Sequence, residues 1–174
     1  NTRQTSRTKK KRFPKMTKKT IRETSLSSKL SHVDSTGKVK MVDVTDKPVS
    51  TREAIAKGRI NITPAALKII RSGKTAKGNP LQTARLAGIM AAKRTADLIP
   101  LCHQLLLTYV DLKIHSDHLG YEIEACVRTK SETGAEMEAL TAVTVASLTI
   151  YDMVKAIDRN MEIGQIRLVE KRGG

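Results

Sequence analysis

The chain has 174 residues, enough for one domain with a hydrophobic core of its own, and it has a net charge of +15. It contains no Trp, one Phe and three Tyr, so it has few aromatic side chains on which single-stranded nucleic acids could stack. Residues 1–30 hold eleven basic residues and one acid, Glu23, which leaves residues 31–174 with a net charge of only +5. This distribution disfavours nucleic acid as the partner of the folded body.

Composition divides the chain into two parts. Residues 1–30 are rich in Lys, Arg, Thr and Ser and poor in apolar residues, so we predict a disordered basic tail there. An organelle-targeting segment and a nucleic-acid-binding arm are the two alternatives for this tail. Residues 31–174 are predicted to form one folded domain. We expect a cytoplasmic protein; if the tail is a targeting segment, a mitochondrial location is the alternative. No apolar run in the sequence is long enough to span a membrane.

The first half of the domain contains strand and helix signals in alternation. Thr63-Pro64 and Asn79-Pro80 each combine a capping residue with Pro at the first helical position, which predicts two helix starts. The predicted elements are strands at 39–44 and 53–62, a helix from 64 to about 71, and a helix from 80 to 93 or 94.

The second half begins with two strands joined as a hairpin. The predicted elements are strands at 105–114 and 121–129, a long helix from 135 to about 159, and a last strand at 163–169. From residue 53 the order is therefore β-α-β-β-α-β, with two helices in the first crossover. This order predicts an α+β, ferredoxin-like fold in which an antiparallel sheet has its helices packed on one face.

The long helix is apolar in nearly every direction, as its leucines, valines, isoleucines and methionines show. A helix that is apolar all round is buried all round, whereas one sheet covers only one face of it. We therefore expect a second copy of the chain to cover the rest. The prediction is a homo-oligomer with its functional sites near the subunit contacts.

Ionisable side chains interrupt three apolar segments. His103 ends the apolar run 98–103, where it is either a site residue or a hydrogen-bonded structural residue; Cys102 beside it is predicted to be buried and unreactive. Glu136 and Glu138 fall in the first turn of the long helix. Asp152 and Lys155 lie three residues apart near its other end. A surface salt bridge is one interpretation, but their apolar neighbours favour a pair that is shielded from water and can exchange protons.

No common nucleotide-binding, zinc-protease or hydrolase motif is present, since GxGxxG, Walker A, HExxH and GxSxG are all missing from the sequence. The two cysteines, Cys102 and Cys126, show no metal-binding spacing, so we predict no metal site and a reducing compartment. Lys77, in the loop between the first two helices, is placed to reach a phosphate, although most loop lysines are merely solvated.

Five segments together resemble the cyclic pyranopterin monophosphate synthase (molybdenum cofactor biosynthesis protein C) family, over about residues 30–174. They are residues 41–44, 91–95, 98–103, 133–141 and 149–156. The resemblance implies a lyase that converts 3′,8-cyclo-7,8-dihydroguanosine 5′-triphosphate into cyclic pyranopterin monophosphate and pyrophosphate, an early step of molybdopterin formation. It also implies a ferredoxin-like fold and a homohexamer, a trimer of dimers, with sites at subunit interfaces.

The resemblance assigns roles to residues of this sequence. Asp152, Lys155 and Lys77 match the catalytic positions of the family. The matching substrate-binding positions are Leu101, Cys102, His103, Glu136, Met137, Glu138 and Lys171, and Arg52 is the further candidate for a phosphate contact. No cofactor is expected, although a divalent cation such as Mg²⁺ can accompany the triphosphate. The substrate is expected from a radical S-adenosylmethionine enzyme that acts on GTP.

Two other functions compete with this interpretation. A small basic protein that binds nucleic acid through residues 1–30 would lose affinity steeply with added salt. An inactive structural subunit would retain the fold without the activity. The presence of Asp152, Lys155, His103, Lys77 and Glu138 together argues against the inactive subunit.

Overall fold

The computed structural model describes Val33 and residues 36–173, so the predictions made for residues 1–30 lie outside the described residues. Its strands and helices follow the predicted order from residue 50 onward. They are β1 (Ser50–Asn61), α1 (Pro64–Arg71), α2 (Pro80–Ala92), α3 (Thr95–Leu98), β2 (Leu107–Ser116), β3 (Gly120–Ser131), α4 (Glu136–Val154) and β4 (Glu162–Arg172). The short helix α3 was not predicted, because four residues are too few for a periodic pattern.

The four strands form one sheet in the order β2-β3-β1-β4, and every neighbouring pair is antiparallel. Together with the helices on one face, this arrangement confirms the predicted α+β, ferredoxin-like fold. β1 lies in the interior of the sheet, and its inward positions are small: Ala54 and Ala56 are fully buried, and Gly58 lies so close to Val143 of α4 that a Cβ would collide with it. Small residues thus let α4 approach the sheet closely.

The helical layer consists mainly of α4 and α2. α4 lies across β1, β3 and β4, and α2 packs against both α4 and β2. α2 uses its small residues for this contact, since Ala84, Gly88 and Ala91 are buried while Leu86 and Met90 remain largely exposed. α4 is long and apolar enough by length and composition to cross a membrane, but half of it is buried within the fold, as expected of a core helix.

Two predicted element boundaries are wrong. Residues 40–49 contain no strand, and Val39 forms only an isolated bridge with Val33; the Asp43 carboxylate instead accepts hydrogen bonds from Thr45 and bends the backbone into a turn. α4 ends at Val154 rather than near residue 159. The chain turns there because the buried carboxylate of Asp158 accepts the backbone N–H groups of Thr63 and Asn160.

Candidate active site

A cavity of about 320 Å³ opens at the first turn of α4. The segment between α3 and β2 forms one wall, the start of α4 forms the second, and residues 42–47 form the third. Six of the predicted substrate-binding residues line it: Leu101, Cys102, His103, Glu136, Met137 and Glu138. The remaining lining residues are Val42, Val44, Lys47, Leu105, Thr133 and Gly134. The fold therefore joins three segments that are distant in sequence into one cavity.

His103 connects two of these walls. Its Nε2 atom donates a hydrogen bond to the carbonyl oxygen of Val42, at 2.9 Å. The 40–49 segment then turns, and the backbone N–H of Lys47 donates to the carbonyl oxygen of Val44 at 3.0 Å. His103 therefore has a structural hydrogen bond and a position in the cavity wall at the same time, so the two alternatives left open by its sequence are compatible.

Glu138 is the most deeply buried acid of the cavity, with 4% of its surface exposed. Burial raises its pKa to about 7, and the negative charge of nearby Glu136 adds to the effect. Burial and the Glu138 carboxylate also raise the pKa of the Cys102 thiol, which keeps the thiol protonated and weakly nucleophilic. Although Glu136 and Glu138 are two positions apart, both contact the cavity, because the end of the helix points into it.

Two cations lie beside this cavity and already have partners. Lys171, near the end of β4, places its Nζ atom 3.3 Å from Oε1 of Glu136. Arg52 donates from Nε to the carbonyl oxygen of Ser131 at 2.9 Å. The neighbouring acid Glu132 has a lowered pKa because its own backbone N–H and the Ser131 hydroxyl donate to it, and Arg52 and His103 add favourable charge. No sequence motif indicated Glu132 as part of this region.

The other predicted residues form a separate group, which we call the Asp152 cluster: Lys77, Asp152 and Lys155. The Lys155 Nζ atom lies 2.7 Å from Oδ1 of Asp152, and Lys77 Nζ lies 3.1 Å from Oδ2. Lys77 also donates to the Asp152 carbonyl oxygen at 3.2 Å. The loop between α1 and α2 thus brings Lys77 to the end of α4, which its spacing in sequence did not predict.

The expected shielding of Asp152 and Lys155 is wrong for the isolated chain. Their side chains are 58% and 54% exposed, because they lie on the outer face of the last turn of α4, whose inner face buries Ile150 and Val154. Hydrogen bonds from Lys155 and then Lys77 lower the pKa of Asp152, and the hydrogen bond to Asp152 raises the pKa of Lys155. The cluster is therefore ionised and open to solvent in the single chain.

One copy of the chain does not bring the cavity and the Asp152 cluster together. Glu138 and Asp152 lie at opposite ends of the same straight helix, 14 residues apart, which corresponds to about 21 Å. A proton-transfer group must come within about 3 Å of the atom it serves. Within a single chain, these two groups are therefore too far apart to act on the same reacting atoms.

Comparison with known proteins decides the family. Residues 41–174 match the model of the MoaC family. The chain belongs to the MoaC family. It is 57% identical over 150 residues to the cyclic pyranopterin monophosphate synthase of Parvibaculum lavamentivorans, which covers 85% of this chain and 94% of that protein.

Two further MoaC relatives give the same result. Proteins named cyclic pyranopterin monophosphate synthase from Brucella ovis and Thermomicrobium roseum are 55% and 54% identical to this chain, over 86% and 84% of its length and 92% and 90% of theirs. The family predicted from the five sequence segments is confirmed. The MoaC match includes the lining residues of the cavity and all of the Asp152 cluster.

The region of the MoaC match also contains groups that the sequence did not indicate. Lys47 lines the cavity from the 40–49 segment, and Arg159 lies with Lys155 beside a shallow hollow after α4. Neither residue belongs to a motif, so only the fold reveals its position. Within residues 36–173, no three His, Cys, Asp or Glu side chains are arranged to hold a metal ion.

Proposed function

We propose that this chain is a lyase of molybdenum cofactor biosynthesis, with the activity named for its relatives. It would convert 3′,8-cyclo-7,8-dihydroguanosine 5′-triphosphate into cyclic pyranopterin monophosphate and release pyrophosphate. The observation that supports this most is the Asp152 cluster, in which one carboxylate bridges two lysines. It occurs in a chain that is 54–57% identical to synthases of this name.

The Asp152 cluster fits the proton transfers of such a reaction. Opening a purine-derived ring and closing a pterin ring both move protons to and from nitrogen and oxygen atoms. Lys155 is the proton donor in this proposal, since its ammonium group is held by Asp152 at 2.7 Å. Asp152 orients both ammonium groups, and exclusion of water by bound substrate would strengthen these interactions.

The cavity fits the guanine-derived end of the substrate. Amide and amine N–H groups at that end are hydrogen-bond donors, and Glu138 offers a buried acceptor in the cavity wall. His103 contributes its imidazole from the facing segment. We propose that these two residues orient the ring, which fixes the bonds that break and form.

Closure of the cyclic phosphate needs positive charge. A hydroxyl group of the substrate loses its proton to solvent as its oxygen attacks the α-phosphorus. The bond from that phosphorus to the bridging oxygen breaks, so pyrophosphate leaves with the electron pair. The proposal assigns Arg52, Lys171 and Lys77 to stabilise the growing negative charge. A divalent cation such as Mg²⁺ is proposed to arrive with the triphosphate, and no cofactor is proposed.

A homo-oligomer, the hexamer implied by the resemblance, is part of the proposal. It is supported by the separation of about 21 Å between the two groups, which a neighbouring copy would remove by placing its own Asp152 cluster at the cavity. The exposed apolar residues Leu148, Ile166, Leu168 and Val169 on α4 and β4 further support contact with another copy.

We also propose the cytoplasm as the location, which the bacterial origin of the relatives supports. A mitochondrial location is the alternative, and it would require residues 1–30 to act as a targeting segment.

Turnover tests the proposed function. The purified chain is incubated with the cyclic dihydroguanosine triphosphate, and pyrophosphate and cyclic pyranopterin are quantified. We expect both products from the unsubstituted chain and a loss of at least about a thousandfold in rate for Asp152→Asn, because the carboxylate that orients both lysines is gone. Glu162→Gln, at an exposed acid at the start of β4 outside both groups, is the matched control and should retain full activity. A folded sample without either product would refute the activity.

A further inference from the structure

One lysine of the cavity wall, Lys47, has no role in the proposed reaction. Among the described residues that line the cavity, Lys47 is the single Lys or Arg, and it comes from the 40–49 segment rather than from the segment between α3 and β2 or the start of α4. The other ionisable lining residues are Cys102, His103, Glu136 and Glu138. The cavity wall thus combines two acids with one lysine.

The position of Lys47 is fixed from two sides. His103 holds the segment through the Val42 carbonyl oxygen at 2.9 Å. The backbone N–H of Lys47 closes the following turn on Val44 at 3.0 Å, and the Asp43 carboxylate holds Thr45 inside that turn. These bonds fix the backbone of the segment, and the ammonium group of Lys47 takes part in none of them.

The cations around the cavity differ in their partners. Lys171 is paired with Glu136, and Arg52 donates to the Ser131 carbonyl oxygen. Among the residues that the structure describes, no carboxylate forms an ion pair with Lys47. An ammonium group in a cavity wall that no protein anion neutralises is suited to a ligand anion.

We infer that Lys47 binds the phosphate chain of the substrate and thereby fixes its direction in the cavity. This inference rests on the proposed function, because it takes the nucleoside triphosphate as the ligand. Glu138 accepts the N–H groups of the ring and Lys47 attracts the anionic phosphates, so the ring faces Glu138 while the phosphates turn toward Lys47. In this arrangement the 40–49 segment forms the phosphate side of the site, and His103 holds that side in place.

Calorimetric titration with GTP and with inorganic pyrophosphate tests the inference without requiring turnover. Lys47→Ala should weaken the affinity for both probes about ten- to thirtyfold, the range of one charge-assisted hydrogen bond. Lys47→Arg should restore most of the affinity, because it retains the charge. Lys68→Ala is the matched control: Lys68 is exposed on α1, does not line the cavity, and should leave both affinities unchanged.

Kinetics with the cyclic dihydroguanosine triphosphate add a second readout. Lys47→Ala should raise KM by a similar factor and change kcat by less than about threefold, as expected for loss of a binding contact. The inference would be overturned if Lys47→Ala and the unsubstituted chain bound the probes with equal affinity, or if Lys47→Arg did not restore the affinity that Lys47→Ala loses. It would also be overturned if the unsubstituted chain bound neither probe. Lys47-dependent binding without any turnover would contradict the proposed activity and leave the inference standing.

Discussion

Glu138 combines deep burial with a place in the cavity wall. Its carboxylate is 4% exposed, and burial together with Glu136 raises its pKa from the ordinary 4.5 to about 7. The acid therefore changes from neutral to charged near neutral pH, where an ordinary glutamate is fully ionised. This residue can offer a substrate a hydrogen-bond donor below pH 7 and a charged acceptor above it.

The raised pKa gives stability a definite pH dependence. The folded chain binds the Glu138 proton more tightly than the unfolded chain does. The contribution of Glu138 to the free energy of unfolding is therefore most favourable below pH 4.5 and is lost as pH rises toward 7. Glu138→Gln removes this loss. Relative to the unsubstituted chain, we expect the Gln variant to gain about 2 kcal/mol between pH 5 and pH 8, or roughly 4–8 °C in Tm.

Thermal unfolding at pH 5 and pH 8 measures this difference. Glu162→Gln, at an exposed glutamate at the start of β4, is the control and should show the same Tm difference from the unsubstituted chain at both pH values. A Glu138→Gln variant whose Tm difference does not change with pH would show that the carboxyl group is not perturbed.

At the scale of elements, α2 depends on a glycine for its contact with α4. A Cβ at Gly88 would overlap the Cδ2 atom of Leu112 and lie 2.9 Å from the carbonyl oxygen of Ala142. Alanine is the better helix former by about 1 kcal/mol, yet overpacking a tight interface costs about 1–3 kcal/mol. We expect Gly88→Ala to lower the free energy of unfolding by about 1–2 kcal/mol in denaturant titrations.

Gln82→Ala is the matched substitution on the exposed side of α2, and it should change the free energy of unfolding by less than about 0.5 kcal/mol. Stabilisation by Gly88→Ala would mean that the two helices separate without cost, so the close approach would not be a requirement of the fold.

The end of α4 depends on Asp158. The carboxylate is 5% exposed and accepts the backbone N–H of Thr63 at 2.8 Å and of Asn160 at 3.0 Å. Burial acts to raise its pKa, but these hydrogen bonds outweigh burial and lower it. Asp158→Ala leaves two backbone donors without this acceptor, so we expect a loss of about 2–3 kcal/mol at pH 7.

The same pKa direction predicts how this loss varies with pH. Since the pKa is lowered in the fold, the stability contributed by Asp158 is present above its ordinary pKa of 3.8 and disappears as pH falls through the folded value. Denaturant titrations at pH 7 and pH 3 should therefore show a larger effect of Asp158→Ala at pH 7. Asp46→Ala, at an exposed acid, should have little effect at either pH.

Sequence periodicity predicted the order of the strands and long helices because most of them have a face buried against the core. It failed where particular hydrogen bonds decide the backbone. Residues 39–44 resemble a strand in composition, but the Asp43 carboxylate accepts hydrogen bonds from Thr45 in a turn. The buried Asp158 ends α4 earlier than its apolar pattern suggests. The resemblance supplied the site residues, whereas Lys47 and Glu132 have no motif and become visible only through the folded cavity.

At the scale of the whole molecule, one helix separates the two halves of the proposed chemistry. α4 places the cavity acids at its first turn and Asp152 in its last turn, about 21 Å apart. The Asp152 cluster is exposed because it lies on the outer face of that end of α4, away from the buried Ile150 and Val154. A symmetric assembly in which each cavity faces a neighbour's Asp152 cluster would both complete the site and exclude water from the lysines.

Shared sites make a quantitative prediction for mixed assemblies. Asp152→Asn and Glu138→Gln each remove one half of the site, and we expect each variant alone to be inactive. When the two variants are co-expressed in equal amounts, a site is intact only if the Glu138→Gln chain supplies Asp152 and the Asp152→Asn chain supplies Glu138. This combination accounts for about a quarter of the sites, so about a quarter of the unsubstituted activity should return. Steady-state turnover of the co-purified mixture, measured against each variant alone, gives this fraction.

Mixing Asp152→Asn with Lys155→Met is the matched control. Both residues belong to the same cluster on the same chain, with their charged atoms 2.7 Å apart, so no exchange of subunits restores an intact cluster and the mixture should stay inactive. Recovery in the first mixture alone demonstrates that the site spans two copies. No recovery in a confirmed mixed assembly would require both halves to act within one chain, and α4 would then have to bend or unfold during the reaction, since a straight helix keeps them apart.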